Sequence, residues 1–220
     1  MTTVDRRMLR AERKRSERRD AILRAAEHVF CVRGYSDASI ADVIDAAQIS
    51  RGTFYLYFDS KDSLYLELVE RFTGFVTEAL QVVDPTDVNP AERILENVQR
   101  IVDVALAHPE LTQLVLRESR GLNQALDERL NRLYGFLHDM VVGALVKGAE
   151  YGFIRRVYEP VVATALIGAF KEVLLHRLAP GGPAGQRAAS RTLLSHALFE
   201  FSVRGLLDNQ ALSTTCRAQD

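Results

Sequence analysis

The stretch of residues 50–57 concentrates hydrogen-bonding side chains of the kind that contact nucleic acid. Its sequence is SRGTFYLY. Arg51 and Thr53 can hydrogen-bond to bases or phosphates, and Gly52 lets a backbone approach closely because it has no Cβ. Two tyrosines add hydroxyls and flat apolar faces: Tyr55 and Tyr57. These residue types predict a surface that contacts DNA.

Capping signals indicate the helices that position this stretch. Ser39 and Asp42 have the spacing of a capping box, which predicts a short helix reaching about Ala47. Ser50 is a typical N-cap residue and predicts another short helix over residues 51–57. Two aromatic residues would anchor its buried side: Phe54 and Phe58.

An apolar stripe predicts the helix that braces this pair. It keeps the spacing i, i+3, i+4, i+7, i+8 and ends at Gly34; its members are Ile22, Ala25, Ala26, Val29 and Phe30. Two short helices joined by a tight turn and braced by a third form a helix-turn-helix, which lays its second helix in the major groove. We expect residues 19–63 to form this DNA-binding domain.

The first 65 residues resemble the TetR family of repressors. The resemblance rests on residues 22–26 (ILRAA), Phe30, residues 34–35 (GY), residues 39–43 (SIADV) and residues 50–64 (SRGTFYLYFDSKDSL). It implies an all-α protein with an N-terminal three-helix helix-turn-helix domain and a larger helical ligand-binding and dimerisation domain. It also implies a homodimer built mainly from the last two helices.

The resemblance assigns roles to individual residues. Ser39 is similar to a phosphate contact, and Lys61 to a phosphate-binding lysine that opens the fourth helix. Thr53, Tyr55 and Tyr57 are similar to groove or backbone contacts, and the matching helix start holds Ser50, Arg51 and Gly52. Family members often have Gly in the turn, where this chain has Gln48. If residue 48 is left-handed, Gln costs roughly 1 kcal/mol relative to Gly.

The net charge of −1 hides a strongly basic N-terminus. Residues 6–19 hold eight Arg or Lys and two Glu. We interpret residues 1–18 as a basic arm in which Arg15 and Arg18 track phosphates or reach a minor groove. The alternative is a solvated, partly disordered tail.

Helical periodicity continues through the larger domain, residues 64–207, and no segment alternates at period two. We predict helices over residues 61–82, 90–107, 109–118, 122–151, 159–179 and 185–206, and a flexible tail over 208–220. Candidate effector-binding residues could line an apolar cavity with polar anchors: Phe72, Phe75, Glu118, Tyr134, Leu137, His138, Met140 and Phe170. Each could equally be an ordinary core residue. An acyl thioester or another amphiphile is the effector we expect.

The two last helices predict a homodimer. Their candidate interface residues are Leu166, Phe170, Val173, Leu194, Ala197, Leu198 and Phe201. A two-fold dimer would place two reading helices about 34 Å apart on a palindromic operator. Effector binding would then tilt the fourth helix through Phe72 and Phe75 and change that separation.

Other classes of function fit less well. The two cysteines, the charged N-terminus and the lack of a long apolar run predict a soluble cytoplasmic protein rather than a secreted or membrane protein. The dispersed histidines form no catalytic or metal-binding grouping, so we expect no enzyme, cofactor or metal. A transcriptional activator of the same fold and a non-specific DNA-binding protein remain open as alternatives.

Overall fold

The computed structural model describes residues 3–81, 90–118, 124–152, 154–179, 190–204 and 206. Helices account for the regular structure in these ranges, which contain no strand, and the fold is all-α as predicted. The helices are α1 (Thr3–Arg33), α2 (Ile40–Ala47), α3 (Arg51–Tyr55), α4 (Lys61–Ala79), α5 (Pro90–Ala107), α6 (Pro109–Glu118), α7 (Gln124–Glu150), α8 (Glu159–Leu178) and α9 (Arg191–Arg204). The predicted tail, residues 208–220, lies outside the described residues.

Helix α1 begins far earlier than the apolar stripe predicts. It starts at Thr3, so the basic arm is helical and continuous with the helix that braces the helix-turn-helix. Residues 3–18 contain neither Gly nor Pro and include six Arg and two Glu, which are strong helix formers. An exposed ion pair joins Arg13 and Glu17 at 3.2 Å, one helical turn apart. The alternative of a partly disordered tail is therefore wrong for residues 3–18.

The chain divides into two compact units. We call Met1–Thr73 with Glu110–Leu130 the N-terminal unit, and Gly74–Pro109 with Asn131–Asp220 the C-terminal unit. This division differs from the predicted boundary at residues 63 and 64 because most of α4 packs with the first helices. The functional division predicted from the sequence stays a prediction.

An aromatic cluster forms the core of the N-terminal unit. The rings of Phe30, Tyr35 and Tyr65 lie 4.6–5.7 Å apart, and the Tyr65 hydroxyl donates to the carbonyl of Leu114 at 3.3 Å. Glu27 accepts a hydrogen bond from the backbone N–H of Leu111 at 3.1 Å and so caps the start of α6. Partial burial raises the pKa of this carboxyl. These contacts join α1, α4 and α6 inside one unit.

The C-terminal unit is built around α5, which packs against α8 and α9. An ion pair between Arg191 and Asp103 joins α9 to α5. Asn97 holds the end of the α4 segment, because its side chain accepts from the N–H of Gln81 at 3.0 Å and donates to the carbonyl of Gln81 at 2.7 Å. Among the helices of the described ranges, none combines the length and apolar character that crossing a membrane requires.

Candidate nucleic-acid interface

The start of α2 is fixed by the capping box that the sequence predicts. The Ser39 hydroxyl oxygen accepts from the N–H of Asp42 at 3.2 Å, and the Asp42 carboxylate accepts from the N–H of Ser39 at 2.8 Å. Arg33 adds an ion pair to Asp42 at 2.8 Å. The hydrogen bonds from Ser39, followed by Arg33, lower the pKa of the Asp42 carboxyl. The predicted contact between Ser39 and a phosphate stays a prediction.

The turn between α2 and α3 uses a left-handed residue. Gln48 has φ 53° and ψ 46°, and its N–H donates to the carbonyl of Asp45 at 3.2 Å. The next N–H, of Ile49, donates to Ile44 at 3.2 Å, which closes the end of α2. Gln48 therefore occupies the conformation for which Gly is the favoured residue.

Helix α3 starts at Arg51 as predicted but is shorter than predicted. Ser50 caps it, because the Ser50 hydroxyl oxygen accepts from the N–H of Thr53 at 3.1 Å. The helix ends at Tyr55, and Leu56 and Tyr57 form a turn rather than a further helical residue pair. The turn arises because the N–H of Tyr57 donates to the carbonyl of Phe54, three residues back, at 2.9 Å.

Helix α3 has one buried face and one exposed face. Phe54 is fully buried, and its ring lies 6.0 Å from that of Phe58, which is also buried. The guanidinium of Arg19 lies 4.9 Å above the Phe58 ring, and Arg19 forms an ion pair with Glu67. The aromatic anchors predicted from the sequence are confirmed as buried residues. Because Phe54 is buried, the opposite face of α3 is exposed to solvent.

The outward face carries the side chains proposed to contact DNA. Arg51, Gly52 and Tyr55 are exposed, the Tyr55 side chain to 45%. Thr53 and Tyr57 are half-buried. A Cβ built on Gly52 would meet only the Ser50 hydroxyl, at 3.9 Å, so packing within the chain does not require glycine there.

Lys61 lies in a cage that sequence reasoning missed. Its ammonium group donates to the carbonyls of Tyr35 at 2.7 Å and Ala38 at 3.0 Å, and it lies 4.3 Å from the centre of the Tyr35 ring. The Tyr35 hydroxyl donates to Asp62, and burial raises the pKa of this phenol. Lys61 thus fixes the loop between α1 and α2. Its predicted contact with a phosphate stays a prediction.

The two arginines predicted in the arm lie on α1. Arg15 and Arg18 are exposed and line the same groove as Tyr57, which lies two residues beyond the end of α3. Helix α1 therefore brings part of its basic segment beside α3.

The predicted effector-binding residues are distributed over both units. Phe72 is buried in the N-terminal unit, and the side chain of Glu118 lies outside the described residues. In the C-terminal unit, the Phe75 ring stacks on His108 at 4.2 Å, and His138 lies 3.2 Å from the carbonyl of Pro160. The remaining candidates are half-buried: Tyr134, Leu137, Met140 and Phe170. Their role stays a prediction.

The predicted dimer residues fall into two groups. Leu194 and Leu198 are only 5% exposed in the single chain, so they belong to the core of the C-terminal unit rather than to a free surface. Leu166, Phe170 and Val173 are half-buried, while Ala197 and Phe201 are exposed. Among the described residues of the C-terminal unit, four further large apolar or aromatic residues are more than half exposed: Tyr151, Tyr158, Val161 and Leu193.

Comparison with known proteins identifies the N-terminal segment. Residues 22–68 match the model of the bacterial regulatory proteins of the tetR family. Over 163 residues the chain is 26% identical to the uncharacterized HTH-type transcriptional regulator YdgC of Bacillus subtilis (strain 168), covering 68% of this chain and 84% of YdgC.

A second relative matches a shorter part of the chain at higher identity. The chain is 39% identical over 84 residues to the HTH-type transcriptional regulator EthR of Mycobacterium tuberculosis, which covers 38% of each protein. The fold is similar to that of the regulator FadR from Bacillus subtilis, solved in complex with stearoyl-CoA. That similarity has a TM-score of 0.67 at 19% identity and covers 84% of this chain and 97% of FadR.

The capped α2–α3 pair, the outward face of α3 and these relatives agree on one assignment. These relatives are named as transcriptional regulators and not as enzymes. Residues 22–68 are the N-terminal segment of the tetR family of bacterial regulatory proteins, and the relatives of the chain are HTH-type transcriptional regulators.

Proposed function

We propose that the chain is a ligand-responsive repressor whose α3 reads a palindromic operator. The observation that carries the proposal is the division of α3 into a buried anchor, Phe54, and an outward face with Arg51 and Tyr55. Such a face can enter a major groove without loss of the core contacts. Gly52 supports it, because a Cβ at that position would meet only the Ser50 hydroxyl among the described residues, and packing there does not require glycine.

A homodimer would supply the two-fold symmetry of the operator. Both α8 and α9 carry buried and exposed apolar residues, so these helices can bury one face in their own unit and another against a second copy. Val161, Leu193 and Phe201 are each about 60% exposed in the single chain. Burial of such residues in an isologous interface would remove apolar surface from water at roughly 25 cal/mol per Å².

The proposed effector is an acyl thioester or another amphiphile. The stearoyl-CoA complex of FadR supports this class, because that regulator has the same fold. Phe75, Tyr134 and Phe170 offer apolar surface in the C-terminal unit. Helix α4 supplies residues to both units, so an effector that shifts α4 could change the spacing of the two reading helices. A coupling of roughly 1–3 kcal/mol would change operator affinity about 5- to 150-fold.

The test is a titration of the full chain onto duplex DNA from beside its own gene, with scrambled DNA of the same composition as reference. Tight binding to the native fragment should be lost in Tyr55→Ala, because Tyr55 lies on the proposed reading face. Tyr151→Ala is the matched control, since Tyr151 is also exposed but lies at the end of α7. Equal binding to native and scrambled DNA would favour the non-specific alternative.

A second experiment tests the effector and the direction of regulation. Acyl-CoAs of increasing chain length should raise the melting temperature and release the native fragment, whereas free coenzyme A should do neither. Release should raise transcription from the bound promoter. A fall in transcription on release would instead assign the activator alternative, and no thermal shift with any amphiphile would overturn the effector class.

A further inference from the structure

A stripe of cations runs along one face of the N-terminal part of α1. Lys14, Arg15 and Arg18 share this face with Ala11, because the four positions have the spacing i, i+3, i+4 and i+7. The stripe lines one wall of an open groove of about 490 Å³. The other wall consists of Leu56 and Tyr57, the turn that follows α3.

The cations of this stripe differ from their neighbours in their partners. Arg13, on the opposite side of the same helix, forms an ion pair with Glu17, and Arg19 forms one with Glu67. Within the part of the chain that the structure describes, no ion pair involves Lys14, Arg15 or Arg18. The groove therefore presents uncompensated positive charge beside α3.

We infer that this groove binds the sugar-phosphate backbone of duplex DNA next to the bases that α3 contacts, an inference that rests on the proposed function. Phosphates would be bound by the three cations. Leu56, which is 74% exposed, and the ring of Tyr57 would contact the apolar faces of deoxyribose. The groove continues the surface of α3, so one duplex can occupy both.

The spacing along the helix fits a single DNA strand. Lys14 and Arg18 are four residues apart, which corresponds to about 6 Å along an α-helix. Successive phosphates of one strand are about 3.4 Å apart along the duplex axis, so the stripe covers roughly two phosphates. Because the segment is helical, it presents these charges at fixed positions, unlike an extended arm that enters a minor groove.

The experiment measures operator affinity of the full chain over about 50–200 mM salt. Because the proposed dimer has two grooves that each cover roughly two phosphates, the triple variant Lys14→Gln, Arg15→Gln, Arg18→Gln should lower the salt slope by about 3 to 4 and weaken binding on the order of 100-fold near 150 mM salt. Because these contacts are to the backbone, native and scrambled DNA should be affected alike. Hydroxyl-radical footprinting should show loss of protection at the edge of each half-site. A triple variant that binds like the wild type would overturn the inference.

Two matched pairs of variants distinguish an effect of the groove geometry from an effect of charge alone. Ser16→Pro keeps every charge but ends the helical register between Arg15 and Arg18, and it should lose much of the same affinity, whereas Ser16→Ala should not. Arg15→Gln should weaken binding more than Arg13→Gln, which removes the same charge from the opposite face. Equal effects in either pair would overturn the inference.

DNA binding by the wild type distinguishes a failure of this inference from a failure of the proposed function. Specific binding that depends on Tyr55 but not on the groove residues would overturn the inference alone. A wild type without preference for the native fragment would overturn the proposed function, and the inference with it.

Discussion

The outward face of α3 and the exposed apolar surface of α8 and α9 are positioned in different ways. The exposed face of α3 is positioned by local structure: Ser50 caps the helix, Phe54 is buried and Gln48 ends the preceding helix. On α8 and α9, Val161 and Phe201 are exposed, whereas other apolar residues of the same helices, such as Ala163 and Leu198, are buried.

This contrast teaches which surfaces can be assigned from one chain. Caps and turns act over three or four residues, so their geometry is complete within the N-terminal unit. An apolar surface that is buried against a second copy has its full set of contacts only in the dimer. The two surfaces can therefore be disrupted separately by mutation.

The largest effect is expected for Phe54→Ala. Removal of a fully buried ring should cost about 3–5 kcal/mol of unfolding free energy and abolish operator binding. The dimer should persist, because the proposed interface lies in the C-terminal unit. Urea unfolding and sedimentation measure the two properties. Phe136→Ala is the control, since Phe136 is 46% exposed and should lose little stability. Loss of the dimer in Phe54→Ala would contradict the independence of the two surfaces.

The second-largest effect is expected for Phe201→Glu, which should disrupt dimerisation through the apolar surface of α8 and α9. A charge at an interface centre should weaken dimerisation by at least about 2 kcal/mol, or roughly 30-fold in dissociation constant. Sedimentation equilibrium measures this change. Val32→Glu is the matched control, because Val32 is also exposed and apolar but belongs to the N-terminal unit. Equal self-association of Phe201→Glu and the wild type would place the interface elsewhere.

A smaller effect is expected for Gly52→Ala on α3. The chain has room for the methyl group, so folding stability should be unchanged or slightly raised, since Ala favours helix over Gly. Operator affinity should fall about tenfold, because the methyl group would hold the DNA backbone away. This drop corresponds to roughly 1.4 kcal/mol. Fluorescence anisotropy and thermal unfolding measure the two properties.

Gly74→Ala provides the comparison for that variant. Gly74 lies within α4, and a Cβ built on it has no neighbour within 4 Å. It should gain the same helix propensity without loss of DNA affinity. If Gly52→Ala also kept full operator affinity, the proposal that DNA closely approaches residue 52 would be contradicted.

The same contrast explains how much the sequence could predict. The starts of α2 and α3 were predictable because Ser39 and Ser50 cap their own helices through partners three residues away. The N-terminal start of α1 was missed because an exposed, charged helix has no apolar stripe to mark it. The cage of Lys61 was missed because its carbonyl partners are more than twenty residues away in sequence. Leu194 and Leu198 were placed in the dimer interface because periodicity does not distinguish an inner from an outer apolar face.

The smallest effect tests the turn that orients α3. Gln48→Gly should raise the unfolding free energy by about 1 kcal/mol, because Gly adopts the left-handed conformation of residue 48 without a Cβ penalty. Ala46→Gly, two residues earlier and exposed on α2, should change it by a similar amount in the opposite direction, since Gly is unfavourable within a helix. Urea unfolding of the pair measures both. Operator affinity of Gln48→Gly should match the wild type, because the turn already has this conformation and Ser50 already caps α3. Destabilisation by Gln48→Gly would mean that residue 48 is not left-handed in solution, and the orientation of α3 relative to α2 would then have to differ.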